Sequence, residues 1–455
     1  MNRRWLFGII AALLALGATL FVRAKQPVLL DFSPADGDFQ VAPNHPLTLT
    51  FSEPMNAESV AANLELQPPV AGDFSGDAEK FTFIPNPTWP RGERITVTLN
   101  SGAASQMGLP TLSQTSWSFE TSPPLLTYLW PANGPADIYT VNLRYGVSQR
   151  LTETDYGVLN YDIDTNGEWI YFSTRLAPPD SAIFRLERAT GEVHRVLTCK
   201  NTLCNNPKIS PAGDALAYSV SPAAPESDPF PWQIWVLPIQ DEKPAPVEQA
   251  DLVSNPAHQS ELPHWSPTGL LTFYDKTAQH FTILDLEAGT SAFFHSETGE
   301  TGTWSPDGRN YILNEIIFWG NGPMDYTSHL WRFDYPASSS ADLSPEDRTL
   351  EDSTPAYAPD GSLIAFGRKH LDKEHWIPGR QLWLMSPNGS NPRQITDAPD
   401  YNHLDFAWHP AGDYLAYVRY NQSAQTDPPE LWIIRPDGSD AIRLVINAYA
   451  PQWLP

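Results

Sequence analysis

The sequence predicts an all-β protein: an N-terminal membrane segment, a small β-sandwich, then a seven-bladed β-propeller closed by its own C-terminal strand, with six blades as the alternative count. Three observations predict it. An aromatic residue or Ile runs into a short turn closed by Gly, and this phrase recurs from residue 163 to the C-terminus. Period-two alternation of apolar and polar residues fills the region before it. An uncharged run opens the chain.

That run sits between Arg3-Arg4 and Arg23. Residues 5–22 are eighteen uncharged, mostly apolar positions, long for the core of a cleavable signal and just enough to span a bilayer. The expectation is a single-pass anchor over residues 1–25, its N-terminus held in the cytoplasm by the arginine pair. Cleavage near Val22-Arg23-Ala24 is the alternative and would release a secreted or periplasmic protein. Either way the β regions face outward, and no Cys follows the run to carry a lipid.

Residues 26–122 carry the alternating segments Leu47-Thr48-Leu49-Thr50-Phe51, Lys80-Phe81-Thr82-Phe83, Arg94-Ile95-Thr96-Val97-Thr98-Leu99 and Ser116-Trp117-Ser118-Phe119. Pro and Gly clusters separate them, which gives strands with one buried face and hence a sandwich. The phrases Phe51-Ser52-Glu53-Pro54-Met55-Asn56 and Trp117-Ser118-Phe119-Glu120-Thr121 resemble the bacterial Ig-like domain of S-layer and other surface proteins, the SbsA type. Neither cysteine lies here, so the core must suffice alone.

From about residue 125 the repeat takes over. It reads Ile163-Asp164-Thr165-Asn166-Gly167, Ile209-Ser210-Pro211-Ala212-Gly213, Trp265-Ser266-Pro267-Thr268-Gly269, Trp304-Ser305-Pro306-Asp307-Gly308, Tyr357-Ala358-Pro359-Asp360-Gly361 and Trp408-His409-Pro410-Ala411-Gly412, with a truncated copy at Trp453-Leu454-Pro455. The first residues are spaced by 46, 56, 39, 53, 51 and 45, close to the length of a four-stranded blade. Each Gly is followed by an apolar second strand such as Leu216-Ala217-Tyr218 or Leu415-Ala416-Tyr417. A third strand follows, as in Ile234-Trp235, Leu330-Trp331, Leu382-Trp383 and Leu431-Trp432. A fourth, rim-like strand ends in Arg150-Leu151-Thr152, Val196-Leu197-Thr198, Gln394-Ile395-Thr396 or Arg443-Leu444-Val445. The repeat opening at Tyr128-Leu129-Trp130 lacks a first strand and the C-terminus supplies one with nothing after it, so the two are expected to join.

The phrases Trp304-Ser305-Pro306-Asp307-Gly308 and Leu382-Trp383-Leu384-Met385-Ser386-Pro387-Asn388-Gly389, with Arg393-Gln394-Ile395-Thr396, resemble the repeats of TolB-type propellers, which also occur as the non-catalytic domain of prolyl-oligopeptidase-like peptidases. The resemblance covers about 125–455 and implies a fold; propellers host unrelated activities. The sequence ends with the repeats, so no hydrolase domain is expected after them.

Composition narrows the partners. Lys and Arg total 28 against 53 Asp and Glu, a net charge of −25 with no basic cluster after residue 25. Nucleic acid is excluded as a ligand on that balance, because binding it requires neutralising phosphates. The expected partners are a protein or a cell-envelope polymer, plus the membrane through the N-terminal segment.

Cys199 and Cys204 are the only cysteines. They fall where a rim strand crosses to the next first strand, and outside the cytoplasm they are expected to pair as a disulfide. No second ligand pair for a metal stands nearby. Asp162-Ile163-Asp164-Thr165-Asn166-Gly167 looks like the start of a calcium loop, but Ser173 stands where that loop needs a bidentate carboxylate, and the residues align with the first turn of the other blades. His264, His329 and His409 lie in or beside strands and are read as packing residues. No catalytic or nucleotide-binding motif occurs, and no metal or cofactor is expected.

Loops carry what remains. Those over 221–232, 315–328, 369–380 and 421–430 are swollen and should share one face of the ring. They hold Trp232, Phe318, Trp319, Tyr326, Trp376, His370 and His375 with Asp228, Asp325, Asp372 and Asp427. Aromatics that no core requires are a recognition signature, and Trp319, Tyr326 and Trp376, with Trp232 and His375, are the expected binding residues; loops packed on one another as a lid are the competing reading. An enzyme acting on polysaccharide or peptide at the propeller mouth is the second functional class. Its acid/base candidates are Asp325, His370, His375 and Glu374, whose spacing forms no recognisable constellation.

Overall fold

The computed structural model describes residues 23–455 apart from 24, 40, 87, 144–145, 223–231, 241–242, 321, 323–324 and 345–347. Nearly all of the expected membrane segment therefore lies outside the described residues, and among these no helix is long and apolar enough to cross a membrane. Two compact units are present: the first runs to Pro124 and also takes in Leu143, and the second comprises Leu125–Asn142 and Gly146–Pro455.

The first unit comprises β1 (Leu29–Ser33), β2 (Leu47–Phe51), α1 (Ala57–Asn63), β3 (Leu64–Gln67), β4 (Gly72–Asp77), β5 (Lys80–Pro85), β6 (Arg94–Leu99) and β7 (Thr115–Glu120). The sheets run β1-β2-β5-β4 and β3-β6-β7. Alternation puts Leu47, Leu49 and Phe51 of β2 and Ile95, Val97 and Leu99 of β6 into one core. Trp89 fills its centre. The indole packs edge-on against Phe119 at 5.4 Å and its N–H donates to the His45 carbonyl at 2.7 Å, so the one polar atom is satisfied inside an apolar cluster. The helix was not expected. Asn56 starts it by accepting the Ser59 N–H at 2.9 Å, and the helix buries Val60.

The second unit is built from antiparallel sheets in succession. Val158–Ile163, Trp169–Arg175, Ser181–Glu187 and Val193–Cys199 form one. Thr202–Ile209, Ala215–Pro222, Gln233–Gln240 and Asp251–Leu252 follow, then Ser260–Trp265, Leu271–Asp275, His280–Asp285 and Thr290–His295. Next come Thr303–Trp304, Asn310–Phe318, Tyr326–Asp334 and Ser339–Asp342, with Leu350–Tyr357, Ile364–His370, Gln381–Met385 and Arg393–Gln394 after them. Tyr401–Trp408, Leu415–Asn421, Glu430–Ile434 and Ile442–Ile446 complete the series within the chain. Tyr449–Trp453 returns to pair with Leu125–Trp130, beside Asp137–Asn142 and Val147–Arg150.

The repeated turn closes in one way throughout, the Gly N–H donating to the carbonyl three residues earlier at 2.7–3.1 Å. In the Trp304 copy the Gly308 N–H donates to the Ser305 carbonyl at 2.9 Å with Gly308 at φ 68°, a left-handed conformation that favours glycine. Ser305 Oγ then accepts the Asn310 N–H at 2.9 Å and fixes the strand that follows. The aromatic ahead of the turn works between sheets. Trp265 donates its indole N–H to the Lys208 carbonyl, Trp304 to Thr272 Oγ1, Trp408 to the Ala356 carbonyl and Trp453 to the Ala407 carbonyl, at 2.8–3.1 Å, each partner lying in the preceding sheet. First strands pack on one another, and several are bulged at a positive-φ residue, Asn206, Leu262, Thr354, Asp405 or Ala450.

Two expectations need correction. Residues 315–328 are mostly not a loop: Asn310–Phe318 and Tyr326–Asp334 pair as far as Phe318 opposite Tyr326, leaving a short tip. The β-branched run Ile316-Ile317 extends the strand where a loop was read. The rim strand at Arg150 stops there, four exposed residues long, rather than reaching Thr152.

Candidate functional site

A cleft of about 710 Å³ opens over the sheets between residues 298 and 404. Its floor is made by a junction of two sheets. Ser328 pairs in parallel with Glu351, Ser328 Oγ donates to the Asp352 carbonyl at 2.9 Å, and Thr327 Oγ1 donates to the Leu350 carbonyl.

The hairpin Asn310–Phe318/Tyr326–Asp334 brings Trp319 and Tyr326 to the cleft. Its tip closes by the Trp319 N–H donating to the Asp325 carbonyl at 3.0 Å, while Asp325 Oδ2 accepts the Gly322 N–H at 2.6 Å. A Cβ at Gly320 would collide with that carboxylate and displace it. Across the cleft, residues 371–380 deliver Trp376 and Arg380. Asp372 Oδ1 organises this loop by accepting the Glu374 and His375 N–H groups at 3.0 Å. Gly379 then approaches the first strand of the next sheet so closely that a Cβ would collide with the Tyr401 carbonyl. The neighbouring Arg380 lands on that strand, its carbonyl accepting the His403 N–H at 3.0 Å and its own N–H donating to Asn402 Oδ1 at 3.1 Å.

Trp319, Tyr326 and Trp376 are thus 38%, 44% and 54% exposed around one cavity. None of the three belongs to a buried core. The Arg348 guanidinium lies 5.4 Å from the Trp319 ring centre, and Lys369 Nζ lies 4.9 Å from that of Trp376. Burial lowers the pKa of Lys369 from its ordinary value. Arg380 is ion-paired to Glu351, and burial lowers its pKa too, opposed by Glu300. Asn314 lines the cleft while almost fully buried. Arg348, Arg380 and Asn314 carry no motif, since residues far apart in sequence meet only in the fold.

Other expected residues fall elsewhere. Trp232 is half-buried, with its carbonyl accepting the Ser260 N–H at 2.7 Å, and His375 is exposed with Nδ1 2.9 Å from Asp372 Oδ1; neither lines the cleft. Asp228 lies outside the described residues. The acid/base candidates Asp325, His370, His375 and Glu374 are also absent from the lining. Asp162 is engaged between sheets, accepting from Lys208 Nζ at 2.9 Å and from the Ile209 N–H at 3.0 Å, which leaves its carboxylate without the freedom of a calcium ligand. Cys199 and Cys204 are joined as a disulfide across a turn at Asn201, and Ser181 Oγ accepts the Cys204 N–H at 2.8 Å. His403 is buried and His264 half-buried with its ring enclosed by neighbours, and loss of solvent pushes the pKa of both down to about 4.

Residues 23–121 match the model of the bacterial Ig-like domain family. That agrees with the likeness read from Phe51-Ser52-Glu53-Pro54 and Trp117-Ser118-Phe119. An uncharacterised protein of Escherichia coli K12, YidR, is 46% identical over 78 residues, a stretch that is 16% of this chain and 19% of that protein. Similar solved structures are TolB and other β-propeller proteins. TolB from Acinetobacter baumannii is 11% identical with a TM-score of 0.45, covering 94% of this chain and 99% of that one. The β-propeller domain of the Trilobed protease from Pyrococcus furiosus is 12% identical with a TM-score of 0.46, covering 78% and 95%.

Proposed function

We propose that this chain is a membrane-tethered, extracytoplasmic binding protein: an N-terminal anchor, an Ig-like domain, and a seven-bladed propeller closed by its C-terminal strand, whose aromatic cleft holds a protein or cell-envelope polymer. The observation that carries the reading is the convergence of Trp319, Tyr326 and Trp376, all exposed, on one cavity flanked by cations. Large aromatics ordered by neighbours but left open to solvent contribute contact area at small entropic cost. The disulfide and the net charge of −25 support a location outside the cytoplasm and a ligand other than nucleic acid. Binding is favoured over hydrolysis or elimination because the lining carboxylates are Glu300 and Glu351, and Glu351 is engaged by Arg380.

A photo-crosslinking amino acid at Leu371, on the cleft wall, tests this in the native cells. Adducts to one envelope component from Leu371, and none from the exposed Val193, are the expected result. Equal labelling from both positions would remove the cleft as the recognition site. Retention of the mature chain in the membrane fraction after carbonate washing tests the anchor, and a mature chain beginning near Lys25 would show cleavage instead.

A further inference from the structure

Resting on the reading of this cleft as a binding site, we propose that its ligand is an oligosaccharide. The folded chain leaves polar atoms of the cleft unsatisfied. Asn314 is 4% exposed and lines the cleft, yet its Oδ1 has no hydrogen-bond partner among the described residues. The same holds for Arg380 Nε and Thr354 Oγ1, both on the lining. Such atoms also occur away from the cleft, at Ser219 and Trp235 among others, but here three converge on one cavity, and a buried polar group without a partner is costly. A ligand that completes this site must donate to Asn314, accept from Arg380 and do either with Thr354.

Sulfate or a phosphodiester offers acceptors only and would leave Asn314 unpaired. Hydroxyl groups donate and accept at once, and neighbouring hydroxyls on a sugar ring present both roles within one residue. The sugar's other side supplies the second requirement. A pyranose face of C–H groups lies flat against an aromatic π face, whose partial charge is negative, and the cleft exposes two indoles and a phenol. A peptide that adds a strand to a sheet edge is one competing occupant. The edge beside the cleft is already taken by the pairing of Ser328 with Glu351 and by the hydroxyls of Ser328 and Thr327 on the Asp352 and Leu350 carbonyls. The cavity, about 710 Å³, is within the range of clefts that bury most of a small ligand.

The test uses the full chain in mild detergent, titrated by calorimetry and tryptophan fluorescence with three probes: a β-1,4-linked N-acetylglucosamine tetrasaccharide, cellotetraose, and glycan strands released from cell wall by muramidase. Saturable binding to at least one probe with a shift in tryptophan emission is expected. Asn314→Leu should weaken it about tenfold, the effect of one hydrogen bond, while leaving the melting temperature of the free protein unchanged or raised, because an orphaned acceptor is removed. Absence of heat and of any emission change with all three probes at about 10 mM, the limit of weak binding, overturns the saccharide. In that event, capture of an envelope protein by the wild type but not by a variant lacking the three aromatics would leave the cleft a peptide-binding site. Equal capture by both would bring down the binding reading as well.

Discussion

Thr127 and Gln452 stand 325 residues apart in the chain and are joined by a hydrogen bond of 2.8 Å from the Thr127 hydroxyl to the Gln452 carbonyl. The last strand is held on its other side too. The Tyr161 hydroxyl donates to the Ala450 carbonyl at 2.7 Å, Gln452 Nε2 donates to the Tyr161 carbonyl at 3.0 Å, and the Trp453 indole reaches the Ala407 carbonyl at 2.8 Å. The C-terminal strand therefore bonds to sheets before and after it. Deleting residues 450–455 should lower the melting temperature sharply and promote oligomers, since Leu125–Trp130 is left with an open edge. An unchanged melt with a monomeric elution volume would contradict this closure.

The first-strand tryptophans make a related prediction. Replacing Trp408 with Phe keeps an aromatic in place but leaves the Ala356 carbonyl without its indole donor, so stability should fall by about 1–3 kcal/mol in denaturant unfolding of the propeller. A loss below about 0.3 kcal/mol would show that the indole N–H holds nothing between sheets.

How much of this was legible in the sequence follows from which contacts are local. The Trp-Ser-Pro-Asp-Gly turns could be read because serine, glycine and strand residues that bond one another lie within five positions. The role of the tryptophan could not, because its partner is 32 to 57 residues earlier. The cleft divides the same way. Trp319, Tyr326 and Trp376 stood out as aromatics that no repeat position required. Asn314 reads as an ordinary strand residue, and Arg380 as a loop end, until the Gly379 backbone seats it against Asn402. The hairpin bearing Tyr326 reads as loop in the sequence because its strands, nine residues each, are longer than any of their counterparts.

Gly379→Ala should separate the position of Arg380 from its chemistry. The added Cβ collides with the Tyr401 carbonyl, so residues 371–380 must shift and carry Trp376 with them. Ligand capture should drop at least tenfold while far-ultraviolet circular dichroism stays at the wild-type level. Full capture would mean that the close approach is irrelevant to the site.

Two histidines set an acid limit. His264 and His403 have ordinary values of 6.5 and are pushed down to about 4 by burial. The unfolded chain binds their protons first, so the stability they contribute is complete above pH 6.5 and is lost as the pH falls towards 4, at most about 3 kcal/mol each. The melting temperature should decline across that window, and His264→Gln with His403→Gln should flatten the decline. An equally steep decline in the double variant would assign it to carboxylates instead.

Reduction should be felt locally at Cys199 and Cys204. A loop this short closes with about 2 kcal/mol of entropic stabilisation, so Cys199→Ser with Cys204→Ser should lower the unfolding free energy by about that amount without changing the circular dichroism. Full alkylation of both cysteines in the native, unreduced protein would contradict the bond.

Whether the exposed aromatics of the cleft bind a ligand is open to one direct measurement. The decisive measurement compares the full chain with its Trp319→Ala, Tyr326→Ala, Trp376→Ala variant for capture of material from envelope extract, alongside the melting temperature of each. Removal of three anchors worth about 2 kcal/mol apiece should abolish capture. Because the side chains are open to solvent, the melting temperature should move by no more than a few degrees. Equal capture by both proteins, or collapse of the variant's fold, would show that these residues pack the loops and that recognition lies elsewhere on the chain.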